Sequence, residues 1–316
     1  MKIDDTRKVV IIGTGFVGMS YAYALLNQGI CDELALIDID KFKVEGEAMD
    51  LSHGLAFAPR DMKIYAADYD TCHDADIIVI TAGVAQKEGE SRLDLLKRNA
   101  KIMKSIMENI NKSGFAGIIL VATNPVDIMT YVAYRYSNLP KQQVFGSGTS
   151  LDTARLRYLL SSYLKVDSKN IHAYIIGEHG DSEFPVWSNA YVGVKPLLDV
   201  ISEHPEYSFA DLESIYVDVR DAAYKIIERK KSTYYGIGMA LAYITKAIFN
   251  DANSIIPVSV YIDDYYGVKD IYIGMPAIIN RKGIREILKF NMDKLDQEKF
   301  YNSGMILKKL IDELEL

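Results

Sequence analysis

The chain predicts an α/β fold, with a doubly wound parallel sheet over residues 1–146 and a second, mixed α/β domain over 147–316. Two features carry the prediction. Through the first half, short β-branched apolar runs alternate with helical patterns, and near-continuous apolar strands separated by helices belong to a parallel sheet buried on both faces. After about residue 147 the rhythm changes to longer helices and strands of antiparallel character, with no Pro-rich linker at the change.

In order, the predicted parallel strands are "KVVIIG" (8–13), "ELALID" (33–38), "ADIIVITAG" (75–83), "GIILVATNP" (117–125) and "QVFGSG" (143–148). "FVGMSYAYALLNQG" follows the first strand as a helix. In "RLDLLKRNAKIMKSIMENI", Leu93, Leu96, Ala100, Met103, Met107 and Ile110 recur at helical spacing, so its methionines are core packing. The second half reads as helices "SLDTARLRYLLSSYL", "DLESIYVDVRDAAYKIIERK" and "STYYGIGMALAYITKAIFN", then strands "SIIPVSVYID" and "DIYIGMPAIIN", then a closing amphipathic helix. Internal repeats and low-complexity tracts are absent.

Composition narrows the function. An apolar fraction of 49% over 316 residues supports a sizeable core. The net charge of −7 argues against nucleic acid or an anionic membrane as a partner, because both require a basic surface. Cys31 and Cys72 form no Cys-x-x-Cys spacing, which suits buried thiols in a reducing compartment. No signal peptide or apolar run of membrane-spanning length is present, so a soluble, cytoplasmic protein is expected.

"GTGFVG" places Gly13, Gly15 and Gly18 between a strand and a helix. The first glycine permits a tight turn, the second admits a pyrophosphate to the backbone N–H groups, and the third packs helix on strand. Asp38 ends the next strand, twenty residues beyond Gly18, where a carboxylate can accept from the ribose hydroxyls of an adenosine. The pattern is that of a Rossmann-type dinucleotide site. An acid there repels a 2′-phosphate and favours NAD over NADP, tempered by Lys41 and Lys43 nearby.

Asp152, Arg155 and Arg157 share one predicted helix. Asp152 and Arg155 face the same way, whereas Arg157 lies about 200° around from Arg155. A guanidinium suits a planar carboxylate, so Arg155 is the candidate substrate grip. His179 in "GEHGDSE" sits just past a strand and is one of five histidines. It reads as a proton carrier, a metal ligand or a turn residue. Asp152 supports the first, since a carboxylate fixes the imidazole tautomer and stabilises its charged form. No H-E-x-x-H and no cysteine cluster exist to complete a zinc site, so no metal is expected. "AGVAQKEGESRLDL", with Gly83 and Gly89, reads as a lid at a strand's C-terminal end that could carry Arg92 onto a reacting carbonyl.

Together these segments, with "VATNPVDI", "FGSGTSLDTARLR", "IIGEHGDSEFPVWS" and "STYYGIGMAL", resemble the lactate/malate dehydrogenase family in its L-lactate branch, almost end to end. The resemblance implies a cytoplasmic homotetramer that interconverts pyruvate plus NADH and L-lactate plus NAD in fermentation. It makes His179 the proton donor and acceptor, Asp152 its partner, Arg155 the carboxylate clamp and Arg92 the polarising residue of the lid. It assigns Asn124 to substrate and cofactor, and Thr233 to the pocket wall. Ile237 would press on the nicotinamide, while Val17, Asp38, Lys43, Tyr69, Gly83, Ser105 and Ser147 would line the cofactor. Gln86 stands where malate enzymes carry arginine, which would leave a second substrate carboxylate uncompensated. Arg157 and His172 match positions that bind fructose 1,6-bisphosphate across a subunit interface in the allosteric bacterial type. A non-catalytic NAD-binding module is the alternative class, and it would need none of His179, Asp152, Arg155 or Arg92.

Overall fold

A computed structural model of the chain describes residues 6–84, 89 and 91–314. Six parallel strands form its framework: β1 (Lys8–Ile12), β2 (Glu33–Ile37), β3 (Lys63–Ala66), β4 (Ile77–Ile80), β5 (Ile118–Val121) and β6 (Val144–Gly146). The helices among them are α1 (Phe16–Gln28), α2 (Lys41–His53), α3 (Arg92–Ser113) and α4 (Val126–Tyr136). Every residue of β1, β4 and β5 is buried, because helices cover the sheet and no face needs a polar alternation.

The sheet order is β3-β2-β1-β4-β5-β6. The chain runs from β1 outward to β3, then crosses over and resumes on β1's other side. A crevice therefore opens over the C-terminal ends of β1 and β4, where ligands of such sheets bind. The apolar runs predict five of these strands. The sixth, β3, is an edge strand with no fully buried residue, so it lacks the signal that marks the others.

The second half supplies α5 (Ser150–Leu164), five two-residue strands (β7, Ile171–His172; β8, Ile175–Ile176; β9, Phe184–Pro185; β10, Tyr191–Val192; β11, Lys195–Pro196) and helices α6 (Leu197–Glu203), α7 (Phe209–Lys230) and α8 (Tyr235–Phe249). Then come β12 (Ser254–Ile262), β13 (Ile271–Asn280), β14 (Gly283–Ile287) and the closing helix α9 (Lys294–Asp312). β12 to β14 are antiparallel, as the sequence predicts for β12 and β13 but not for the short β14, and they extend the first sheet to nine strands, with Ser259 of β12 paired to Gly146 of β6. The close passage requires glycine next door. Gly148 has φ +50°, and a Cβ there would lie 2.3 Å from the Ser259 nitrogen. A separate, smaller core joins α5 to α7 through Leu156, Leu160, Trp187, Leu212 and Val219. Among the described residues, no helix is long and apolar enough to cross a membrane.

Candidate active site

Of the predicted cofactor residues, Gly13, Gly15, Asp38, Gly83, Asn124 and Ser147 follow the C-terminal ends of the parallel strands. Gly13 turns at φ +104°, and a Cβ there would lie 2.5 Å from the Ala82 nitrogen. A Cβ at Gly18 would lie 2.1 Å from the Gly13 carbonyl oxygen, so only glycine lets α1 rest on that turn. Gly15 caps α1 without a side chain, is exposed, and would have nothing within 4 Å of a Cβ. The first N–H groups of α1 thus open onto an unobstructed approach, which fits a pyrophosphate.

Asp38 closes the same turn. Its Oδ2 accepts from the Thr14 amide (2.6 Å) and hydroxyl (2.9 Å), and its Oδ1 from the Asp40 amide (3.2 Å). Partial burial opposes its charge, but these donors and the Lys43 ammonium outweigh it and hold the carboxyl below the usual carboxylate range. Lys43 itself donates to the Thr14 carbonyl at 2.6 Å. Tyr69 is half-buried across from Asp38, and burial, Cys72 and that carboxylate push its hydroxyl to about 12. Gly83 follows β4 with room only for hydrogen, since a Cβ would lie 2.8 Å from Thr123 Cγ2. Asn124 is exposed beyond β5, and its peptide bond to Pro125 is cis. Ser147 is buried beyond β6, donating its amide to the Val121 carbonyl at 2.8 Å. Val17 is half-buried on α1, while Ser105 is exposed along α3.

The second half closes on this edge through α8. Phe16 at the start of α1 stacks on Tyr234 at 5.1 Å between centroids. A Cβ at Gly236 would lie 2.9 Å from Leu151 Cδ1, and one at Gly238 would lie 2.9 Å from Ser20. These approaches set the half-buried Thr233 and Ile237 between the start of α1 and the start of α5.

At that start, the chemistry-bearing side chains converge. His179 Nδ1 lies 2.6 Å from Asp152 Oδ2, and Arg155 NH1 donates to Asp152 Oδ1 at 2.9 Å. Asp152 is buried, whereas 26% of the His179 side chain is exposed, so the other ring nitrogen is the one a substrate can reach. With Nδ1–H given to Asp152, Nε2 is the ring nitrogen that can gain or lose a proton.

Two further carboxyl groups, Asp127 of "VATNPVDI" and Glu183 of "GEHGDSE", to which the sequence assigned no role, complete the site. Asp127, in the first turn of α4, is buried; its Oδ2 accepts from the His179 amide at 2.8 Å and its Oδ1 from the Ser259 hydroxyl at 2.5 Å. It stands three residues after Asn124 and so ties the cofactor edge to the histidine. A lone acid inside the apolar "VDIMTYVAYRY" is the sequence signal for it. Glu183, buried before the apolar "FPVW", is the other. The histidine turn is also held by Gly177, whose amide and carbonyl pair with Gly274 of β13 at 3.1 and 2.9 Å.

The electrostatics follow from this burial. Desolvation opposes the His179 charge, but the Asp152 carboxylate, by charge and hydrogen bond, outweighs it and raises the imidazole to about 9. Burial would lift Asp152, yet His179 and Arg155 hold it below the carboxylate range. Burial dominates at Asp127 and pushes it to about 6.

Arg157 points elsewhere, as its angular position predicts. Its Nε donates to the Ala173 carbonyl at 3.0 Å, and its guanidinium lies 4.7 Å from the Tyr174 ring centroid. Its NH2 is buried without a hydrogen-bond partner. The residue before Ala173 is His172, exposed on β7, so the two effector candidates meet on one segment. Gln86 and the Arg92 side chain lie outside the described residues.

Family models match both halves of the chain: lactate/malate dehydrogenase, NAD binding domain, over residues 7–146, and the alpha/beta C-terminal domain of the same family over 149–315. The chain is 54% identical over 311 residues to an L-lactate dehydrogenase of Geobacillus sp. (strain WCH70), covering 98% of both. Among solved structures, a lactate dehydrogenase from a Medee basin deep-sea metagenome library superposes with a TM-score of 0.97 at 59% identity, covering 98% of this chain and 99% of that one. The minor L-lactate dehydrogenase of Enterococcus mundtii in its ligand-bound form gives 0.96 at 45% identity, covering 98% of each. With the glycine turn, Asp38 and the His179 cluster on one sheet edge, the chain belongs to the lactate/malate dehydrogenase family and is an NAD-dependent oxidoreductase of it.

Proposed function

We propose that the protein is an L-lactate dehydrogenase that reduces pyruvate reversibly to L-lactate in fermentation, as a cytoplasmic homotetramer activated by fructose 1,6-bisphosphate. The observation that carries the reading is the hydrogen-bonded chain from His179 through Asp152 to Arg155 beside the glycine turn. A protein that only bound NAD would need none of the three.

In this reading residues 1–146 hold the cofactor and residues 147–316 the substrate. Gly13, Gly15, Val17, Gly18, Asp38, Lys43, Tyr69, Gly83, Ser105, Asn124, Ser147 and Ile237 form the NAD site. When bound, NADH supplies the hydride that pyruvate accepts at its carbonyl carbon. Arg155 binds the substrate carboxylate and so orients the carbonyl. Arg92 polarises that carbonyl when the lid closes and excludes water, and Asn124 and Thr233 complete the pocket. His179, protonated and steered by Asp152, delivers the proton to the carbonyl oxygen from Nε2.

Gln86 selects against oxaloacetate, because a neutral amide leaves the second carboxylate unpaired in a desolvated pocket, at a penalty of several kcal/mol. Arg157 and His172 bind the effector: cations from two subunits repel until a polyanion bridges them. The test follows NADH oxidation by the purified protein with pyruvate and with oxaloacetate, each with and without fructose 1,6-bisphosphate. The expected outcome is a kcat/KM at least about a hundredfold higher for pyruvate, with the bisphosphate lowering its KM. Preference for oxaloacetate would refute the role of Gln86, and indifference to the bisphosphate would refute that of Arg157 and His172.

A further inference from the structure

The site holds a buried acid that the reaction just described does not use. Glu183 follows His179 by one turn, its amide donating to the Gly180 carbonyl at 3.2 Å, and it is only 3% exposed. One oxygen of Glu183, one of Asp152 and a ring nitrogen of His179 all lie within 4.8 Å of one another. Glu183 Oε1 is buried and meets no hydrogen-bond donor.

Two carboxyl groups this close in a dry pocket do not both ionise. Asp152 is the one that keeps the charge, because each of its oxygens already accepts a charged or polarised donor, His179 at 2.6 Å and Arg155 at 2.9 Å. The same three groups have the donor types of a cation site. A cation, however, would have to displace Arg155 and His179 from Asp152, whereas a proton on Glu183 displaces nothing. Each Asp152 oxygen still has a lone pair to accept it.

We propose that Glu183 is a positioning residue of the proton-transfer apparatus: as a neutral carboxylic acid it donates a hydrogen bond to Asp152, weakening that carboxylate's hold on the His179 proton. Asp152 alone, buried and ionised, would bind the imidazolium so firmly that the proton would leave reluctantly. A third donor spreads its charge and brings the histidine's proton affinity back toward the range in which it can exchange. Burial, then the neighbouring Asp152 charge, pushes the Glu183 carboxyl well above the usual carboxylate range, in keeping with the neutral form.

The groups facing Glu183 are Asp152 and Arg155 from α5, His179 from its own turn, and Tyr216 from α7, whose hydroxyl donates to the Glu183 carbonyl. Asp127 on α4 acts on His179, and Arg220 on α7 acts on Tyr216. None of these supplies a proton donor to the buried Oε1.

The inference rests on His179 being the proton carrier, and its test separates the two. Glu183→Leu removes the donor, and the alkaline limb of kcat/KM for pyruvate should move upward by about one pH unit. Glu183→Gln, which keeps an amide donor, should bring the limb back toward its original position. Infrared difference spectroscopy at pH 7, wild type against Glu183→Gln, should show a protonated-carboxyl band in the wild type only, and it remains decisive if the leucine variant fails to fold. An unmoved or downward-shifted limb in a folded Glu183→Leu, or no such band, would overturn the proposal. The infrared band reports the protonation of Glu183 whatever His179 does, whereas turnover of a His179 variant reports on the proton carrier alone, so the two failures are told apart.

Discussion

At the scale of single residues, the site is a set of charges whose burial is matched by partners. His179 draws a proton because Asp152 is ionised beside it, and Asp152 stays ionised because Arg155 and His179 hold it. With the imidazole raised to about 9, its acid form dominates at neutral pH. If His179 is the acid for pyruvate reduction, kcat/KM should be level through neutrality and fall about tenfold per unit above that value. A steady-state pH series checks this, and a limb near the ordinary histidine value would mean that Asp152 does not govern the group. The residues that recur in the family's motifs were legible in the sequence, because glycine turns, the acid after the second strand and the Asp-x-x-Arg spacing have local causes. Asp127 and Glu183 also stand in those motifs, but their roles were not legible, because the groups they face come from distant segments: the amide of His179 lies 52 positions beyond Asp127, and Asp152 lies 31 before Glu183. Chain order says nothing of that pairing.

At the scale of elements, close backbone passages decide which helices and strands can meet. α1 lies against β1's turn only because Gly18 has no side chain. Gly18→Ala would place a methyl group 2.1 Å from the Gly13 carbonyl oxygen, a clash that backbone movement alone relieves. The expected result is a loss of about 1–3 kcal/mol in stability, together with a weakened NADH affinity, read by thermal melting and by fluorescence titration of the cofactor. Unchanged affinity would mean that the turn does not hold the pyrophosphate. The strands β1, β2, β4, β5, β6, β12 and β13 and the helices α1, α3, α5, α7, α8 and α9 follow from the sequence to within a few residues, whereas α2, α4 and α6 were not singled out. β3 escaped because an edge strand with one exposed and three half-buried residues has no apolar run. α7 begins two residues before the predicted segment because Ser208 caps it, its hydroxyl accepting from the Asp211 amide at 3.2 Å.

At the scale of the whole molecule, one nine-stranded sheet carries both halves. β12 and β13 could be recognised as antiparallel strands, but their sequence does not specify that they continue the edge opened by β6. That pairing spans more than a hundred residues, from Gly146 to Ser259. Its consequence is functional. Ser259 of β12 donates to Asp127, Asp127 holds the His179 backbone, and Gly274 of β13 pins Gly177 two residues before the histidine. The second half therefore places His179 at the C-terminal edge of the first half's strands through the shared sheet. Whether this assembly is a proton-transfer site for 2-oxo acid reduction is tested most directly by single-turnover NADH oxidation with pyruvate, comparing the wild type with His179→Asn. The expected result is a fall of about 10²–10⁴-fold in rate with NADH affinity retained, and a near-normal rate in the variant would contradict it.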